Sequence, residues 1–307
     1  MAEIVLKTEG LCKSYGKGLV LNDVNMTVER GDIYGFVGEN GSGKTTVIRC
    51  ISGLIRPNAG SFELFGVSNS SPDIIKVRTK LGAIVESPSI YLNMTARENL
   101  LMLSMILGIK DENRIIKALE MVGLGHMYTD KKKAGNYSLG MRQRLGIAMS
   151  LLSCAEFMVL DEPLNGLDPE GIVEMRNLIL QLNHEYGITF LISSHILTEL
   201  SLVATKYGII SKGHIIKEIT KEELEASCKH SIVVEGPNKR EIYNVLIQLV
   251  DESELKEIET GFEILSEIPY NKVLAAVANI NVTNIQLKST SIEDYYLDII
   301  RGGREEC

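Results

Sequence analysis

Residues Gly38-Glu39-Asn40-Gly41-Ser42-Gly43-Lys44-Thr45 run as G-x-x-x-x-G-K-[ST], a spacing suited to wrapping nucleotide phosphates. Its glycines allow a tight turn whose N–H groups point inward as an anion nest. A helix following the turn adds its positive N-terminal end. Lys44 supplies a point charge for the outer phosphates, and the Thr45 hydroxyl can ligate Mg²⁺. Thr46 joins these as a candidate nucleotide-binding residue. A second group of chemistry-bearing residues follows the apolar run Phe157-Met158-Val159-Leu160, which ends at Asp161-Glu162-Pro163. An acid at the tip of a buried strand is where the Mg²⁺ partner of such a loop belongs, so Asp161 is a candidate metal ligand. Glu162 could polarise a water for in-line attack on a γ-phosphate. An apolar run ending in two acids is common. It gains meaning 117 residues after Lys44 and just before Asn165-Gly166-Leu167-Asp168-Pro169.

These groups need a rigid frame. Residues 33–37 read as a strand into the loop and 45–54 as a helix out of it, the context the motif requires. Upstream, residues 4–37 read as short strands with turns at 16–18 and 30–32. A turn at 56–60 precedes strands at 61–65 and 82–85, and residues 95–153 are mostly helical by periodicity. Short continuous apolar runs at 157–160 and 188–193 predict buried strands, and 207–211 with 214–219 a hairpin about Lys212-Gly213. Beyond about residue 228 the pattern changes. A strand (231–235), a helix (239–250), a hairpin (255–259 and 262–266), a helix (271–278) and a strand (283–288) give the βαββαβ order of a ferredoxin-like domain. A further helix is expected over 292–300.

With 307 residues, 45% hydrophobic and 23% charged, the composition is that of a soluble globular protein with one large domain or one domain plus a small one. A net charge of −8 argues against nucleic-acid binding, which usually leaves a basic footprint. Cys12, Cys50, Cys154, Cys228 and Cys307 are scattered without C-x-x-C spacing, the pattern of reduced thiols in a cytoplasmic protein. The histidines lack metal-ligand spacing. No secretory leader is read at the N-terminus, and the longest strongly apolar stretch, 100–109, is about half of what spans a bilayer. Any membrane role is therefore expected through a partner.

Taken in order, Tyr15, the phosphate loop, Tyr137-Ser138-Leu139-Gly140-Met141-Arg142-Gln143, Asp161-Glu162, Asp168 and Ser193-Ser194-His195 resemble the ATP-binding cassette (ABC) ATPase subunits over residues 1 to about 225. The resemblance implies an α/β fold: a P-loop NTPase core with a helical subdomain at about 90–153 and an N-terminal antiparallel β subdomain. The cassette would occupy 1–228, with a small α+β ferredoxin-like accessory domain at 229–307. It implies ATP and Mg²⁺ as cofactors, Tyr15 stacking on adenine, and Thr45 with Asp161 on the metal. Glu162 would be the catalytic base, with His195 on the γ-phosphate. Ser138, Leu139, Gly140 and Met141 would face the nucleotide of an opposite subunit, near which Asp168 bridges. One set of parts implies a second cassette, a homodimer being the expectation, and a membrane-spanning permease. The chain would then lie on the cytoplasmic face of the membrane.

Two departures from the family pattern matter. Glu86, in Leu81-Gly82-Ala83-Ile84-Val85-Glu86-Ser87-Pro88, stands where most cassettes carry a Gln whose oxygen reaches Mg²⁺ and the water. It keeps the oxygen ligand, so the resemblance makes Glu86 a further metal-ligating and catalytic candidate, and it adds a charge, so repulsion from Asp161 and Glu162 would favour protonation or demand bound Mg²⁺. Leu139 and Met141 replace the usual Gly and Gln of the signature stretch. These segments resemble the bacitracin-type and lantibiotic self-immunity exporter branch. The dense apolar stretch 96–109 reads as core, while the resemblance implies a groove beside the Glu86 loop that receives a permease helix, with Tyr91, Met94 and Met102 as candidates for transmission. Two other readings are a soluble ABC ATPase of DNA maintenance or translation, and a non-hydrolysing sensor. Against the first, about 94 residues between Lys44 and Ser138 leave no room for a long coiled coil. Against the second stand Glu162 and His195.

Overall fold

The computed structural model describes residues 3–16, 18–227, 230–266, 268–289, 292, 295, 296 and 299. Contacts divide the chain into two compact units, 1–221 and 222–307. The first runs β1 (Ile4–Tyr15), β2 (Gly18–Glu29), β3 (Ile33–Val37), α1 (Lys44–Ile51), β4 (Ala59–Leu64), β5 (Val67–Ser68), α2 (Ile74–Val77), β6 (Leu81–Ile84), α3 (Ala96–Ile106), α4 (Asn113–Met121) and α5 (Leu139–Leu152). It continues with β7 (Phe157–Asp161), α6 (Pro169–Tyr186), β8 (Thr189–Ser194), α7 (Leu197–Ser201), β9 (Lys206–Ser211) and β10 (His214–Thr220).

Six strands form the sheet that carries the chemistry, in the order β10-β9-β3-β8-β7-β6. From β9 to β6 the neighbours are parallel, and β10 closes one edge as an antiparallel hairpin. Every residue of β3, β7 and β8 is buried, which explains their continuous apolar runs: a parallel strand is covered on both faces. Register then aligns the strand ends. Val37 sits beside Ser194, Asp161 beside Ser193, and Ile84 beside Leu160, so the loops leaving β3, β6, β7 and β8 share the carboxyl edge, where open α/β sheets bind ligands. A second, antiparallel sheet is ordered β2-β1-β4-β5. One apolar cluster links Val5, Leu11 and Val24 of that sheet with Val47 and Ile48 of α1 and Phe157 and Val159 of β7. The phosphate-loop helix is thereby clamped from behind.

Several boundaries differ from expectation. β1 and β2 are 12 residues each rather than short strands. Irregular register between Thr8 and Leu11, with positive φ at Gly10 and Asp23, lets one long hairpin bend where separate strands are expected. α1 stops at Ile51, short of residue 54, because Gly53 turns left-handed at φ +79°. α6, 18 residues long, has no counterpart among the sequence expectations. Its signals are present: Asp168 caps it, Pro169 takes its first turn, and Gly187 ends it at φ +65°.

Helices α3, α4 and α5 pack on one another. α3 starts on a capping box between Thr95 and Glu98. Its apolar residues divide between two roles, Leu100 being fully buried while Met105 and Ile106 are 72% and 70% exposed. Cys50 of α1 is buried, which pushes its thiol up to about 11 and removes it from thiolate chemistry at neutral pH. Among the described residues no helix is long and apolar enough to cross a membrane.

α8 (Lys221–Ser227) begins at the last residue of the first unit, and the second unit continues with β11 (His230–Glu235), α9 (Lys239–Leu246), β12 (Leu255–Ile258), β13 (Gly261–Ile264), α10 (Tyr270–Val277) and β14 (Asn284–Ser289). Its antiparallel sheet is ordered β12-β13-β11-β14, the ferredoxin-like arrangement. Ile232, Val234, Phe262 and Ile264 of the sheet and Ile242, Leu246, Val273 and Val277 of α9 and α10 form its core. Most of the helix expected over 292–300 lies outside the described residues.

Candidate active site

The phosphate loop leaves β3 under tight steric control. A Cβ on Gly38 would lie 2.4 Å from the Ile210 carbonyl oxygen, so only glycine fits. Gly43 caps α1 at φ +112°, beyond easy reach of any other residue. Lys44 is buried at 5% exposure, and its Nζ donates to the carbonyls of Gly38 (2.6 Å) and Glu39 (3.3 Å). The lysine therefore folds back along the loop and fixes its curvature. Glu39, Asn40 and Gly41 form the exposed rim, Ser42 is buried, and Thr45 and Thr46 are partly buried on α1. The Ser42 hydroxyl meets no hydrogen-bond partner among the described residues, an unusual condition for a buried polar atom and one a bound phosphate would relieve.

Opposite the loop, β7 and β8 supply one connected set of polar groups. Thr45 Oγ1 donates to Asp161 Oδ2 at 2.8 Å, and Ser193 Oγ donates to Asp161 Oδ1 at 2.6 Å. Ser193 Oγ also accepts from the Glu162 backbone N–H at 2.9 Å. Glu162 sits at φ +49°, a strained backbone for a residue with a side chain. Its carboxylate reaches His195 Nδ1 at 2.8 Å and Lys44 Nζ at 3.4 Å. Asp161, Glu162, His195, Lys44 and Thr45 are thus brought together. Ser193 is the addition: fully buried, it holds both carboxylate residues in register, a role its sequence context did not reveal. Ser193→Ala is expected to lower nucleotide turnover by about 10-fold, as loss of a supporting hydrogen bond to a metal-site ligand does. Steady-state turnover at saturating nucleotide checks it, and a wild-type rate would assign Ser193 to packing alone.

A second assembly contains the signature residues. Ser138 caps α5 and accepts from Met141 N–H at 3.2 Å; Asp168 caps α6 and accepts from Gly171 N–H at 3.2 Å. The hydroxyl hydrogen of Ser138 remains available to donate. Both residues line a hollow of about 480 Å³ with Leu139, Gly140 and Met141. No phosphate-loop residue lines it. Tyr15, at the end of β1, is 49% exposed, with Lys13 Nζ 5.4 Å from its ring centre.

Glu86 departs from expectation. It follows β6 at φ +62°, and its carboxylate meets Arg49 Nη2 of α1 at 2.5 Å. A cation thus pairs with this carboxylate. Sequence reading overlooked Arg49, which no motif marks, though its place on the phosphate-loop helix was legible. Beside this loop lies a groove of about 810 Å³ whose lining includes Leu54, Val85, Leu103, Leu107 and Met149. Tyr91, Met94 and Met102 are not among its lining residues; Leu103 and Leu107 are the part of that stretch that reaches it, beside Leu54, Val85 and Met149 from other elements.

Residues 21–165 match the family model described as ABC transporter. The chain is 40% identical over 303 residues to the bacitracin transport ATP-binding protein BcrA of Bacillus licheniformis, covering 97% of this chain and 98% of that protein. It is 41% identical over 234 residues to the lantibiotic transport ATP-binding protein SrtF of Streptococcus pyogenes, covering 75% and 99%. Among solved structures it resembles cbiO1 of Clostridium perfringens, part of the ABC transporter complex cbiONQ, with a TM-score of 0.65, 26% identity and coverage of 80% and 96%. Near-full-length identity of this order, on a fold that assembles Lys44, Thr45, Asp161, Glu162 and His195 at one sheet edge, places the chain in the ABC transporter family as an ATP-binding, ATP-hydrolysing subunit.

Proposed function

We propose that this chain energises an exporter that moves an antimicrobial peptide or a similar compound away from the cell, working as a dimer of cassettes on a separate membrane-spanning permease. The observation that carries the dimer is that the hollow holding Ser138, Gly140 and Asp168 is lined by no residue of the phosphate loop. Each half is completed by the opposite half of a second cassette. The groove beside Glu86, with the exposed Met105 and Ile106 nearby in sequence, suits an apolar helix of the permease. The named activities of BcrA and SrtF support the substrate class. They also disfavour a soluble ATPase of DNA maintenance or translation.

In this reading Thr45 Oγ1 and Asp161 Oδ2, 2.8 Å apart, would hold Mg²⁺, with Glu86 a further candidate ligand. Phosphate and water would complete its shell, the usual manner for this ion. When bound, Mg²⁺ neutralises charge on the β- and γ-phosphates. Lys44 and the loop N–H groups hold those phosphates, Glu162 accepts the proton of the attacking water, and His195 orients Glu162 and meets the γ-phosphate. Tyr15 offers its exposed ring to the adenine. Catalysis is mainly positioning and electrostatics. The ferredoxin-like unit serves as an accessory domain, and the chain sits at the inner membrane face through its permease.

Affinity purification of the Glu162→Gln protein with ATP from detergent-solubilised cells tests the proposal. A polytopic membrane protein in stoichiometric amount is the expected companion. Recovery of ribosomes or repair factors alone would overturn the exporter reading.

A further inference from the structure

We propose that Arg49 is a positioning residue for Glu86, and that the charge balance of this pair sets how much Mg²⁺ nucleotide binding requires. The inference rests on the nucleotide and Mg²⁺ assignment above. Three observations join to carry it. Arg49 lies on α1, five residues beyond Lys44 and four beyond Thr45, so it moves rigidly with the loop and with a proposed Mg²⁺ ligand. Glu86 follows β6, whose Ile84 is registered beside Leu160, immediately before Asp161; its loop therefore leaves the sheet at the level of the same ligand. Between the two elements, Arg49 Nη2 and Glu86 Oε1 are 2.5 Å apart.

The backbone at Glu86 adds to the case. A φ of +62° is unfavourable for glutamate, and such strain persists where surrounding interactions over-determine it. The ion pair adds to those interactions but, being exposed, does not hold the backbone alone. Charge explains why arginine suits the position. Asp161 and Glu162 already make this edge acidic, and Glu86 adds another carboxylate close by. A guanidinium stays charged at any relevant pH, so it offsets that carboxylate without titrating itself. A glutamine at position 86 could still accept from the guanidinium, but it would bring no charge for the cation to offset.

The pair is also a weak latch. Side-chain exposures are 37% for Arg49 and 65% for Glu86, and exposed pairs of this kind are strongly screened. A carboxylate so held can rest against Arg49 and exchange toward the Mg²⁺ and water side at little cost. Removing Arg49 leaves an unbalanced negative charge at the metal edge. Mg²⁺ is then drawn in at lower concentration, and nucleotide without Mg²⁺ is repelled.

The test is binding of a fluorescent ATP analogue, mant-ATP, to the purified full chain while Mg²⁺ is titrated. Formation of the Mg²⁺–nucleotide complex in bulk is common to all variants and cancels. Arg49→Met is expected to lower the Mg²⁺ midpoint by about two- to five-fold, the range of an exposed charge pair. In a Glu86→Gln background the same substitution should shift nothing. An equal shift in both backgrounds, or none in either, overturns the inference. The exchanged pair Arg49→Glu with Glu86→Arg should return the midpoint toward wild type while each single change moves it, and melting curves identify any variant that fails to fold. Failure of the underlying reading looks different: the wild-type chain itself would show no Mg²⁺-dependent binding of mant-ATP.

Discussion

Glu162→Gln is expected to slow ATP turnover by about 10²–10³-fold, the contribution of a well-placed general base, while ATP still binds. Its geometry explains both halves of that result. The Glu162 carboxylate is held by His195 Nδ1 at 2.8 Å and by Lys44 Nζ at 3.4 Å, so it faces the end of the loop where a γ-phosphate must lie. Glutamine keeps the volume and one acceptor oxygen, and the loop, Lys44 and Thr45 are untouched. What disappears is the ability to take a proton from water. Removing a negative charge beside a polyanion also favours ATP retention. The bound state should accumulate, and with it the closed cassette dimer. Turnover assays paired with size-exclusion chromatography in ATP decide the matter. Turnover within 10-fold of wild type would move the base elsewhere.

What the sequence revealed depended on whether a feature was local. The phosphate loop is legible because consecutive residues build it: Gly38 and Gly43 are demanded by close approach and by a left-handed turn, and Lys44 and Thr45 follow directly. The buried strands are legible for a related reason, since β3, β7 and β8 are covered on both faces and lose all alternation. The βαββαβ order of the second unit follows from alternating short patterns. Other features depend on register between distant strands. Ser193 acquires its role only because β8 lies beside β7 with Asp161 at its side. Arg49 meets Glu86 only because α1 and the end of β6 converge. Its partner, Glu86, was legible; the cation beside it was not. α6 was overlooked although Asp168, Pro169 and Gly187 mark its ends, because Asp168 was read for the site and not as a helix cap.

Lys44→Met is expected to weaken ATP binding by about 100-fold, the scale of losing a charge-assisted hydrogen bond to an ion in a protected site. Two losses combine. The ammonium no longer meets the outer phosphates, and the loop loses the tie from Lys44 Nζ to the Gly38 and Glu39 carbonyls at 2.6 and 3.3 Å. Those carbonyls then face the phosphates' side of the loop without a donor, so the substituted loop both attracts less and repels more. Met fills the buried channel of a side chain that is only 5% exposed, which limits the effect on folding. Lys44→Arg should not rescue binding, because a planar guanidinium cannot enter a space shaped around a compact ammonium. Titration with mant-ATP measures the loss directly. Binding within three-fold of wild type would mean that the inward N–H groups of the loop hold the nucleotide alone. The contrast with Glu162→Gln is diagnostic, since one substitution removes ATP from the site and the other traps it there. A chain in which both variants lost binding equally would have Glu162 acting as part of the phosphate cradle, through its 3.4 Å contact with Lys44, and not as the base.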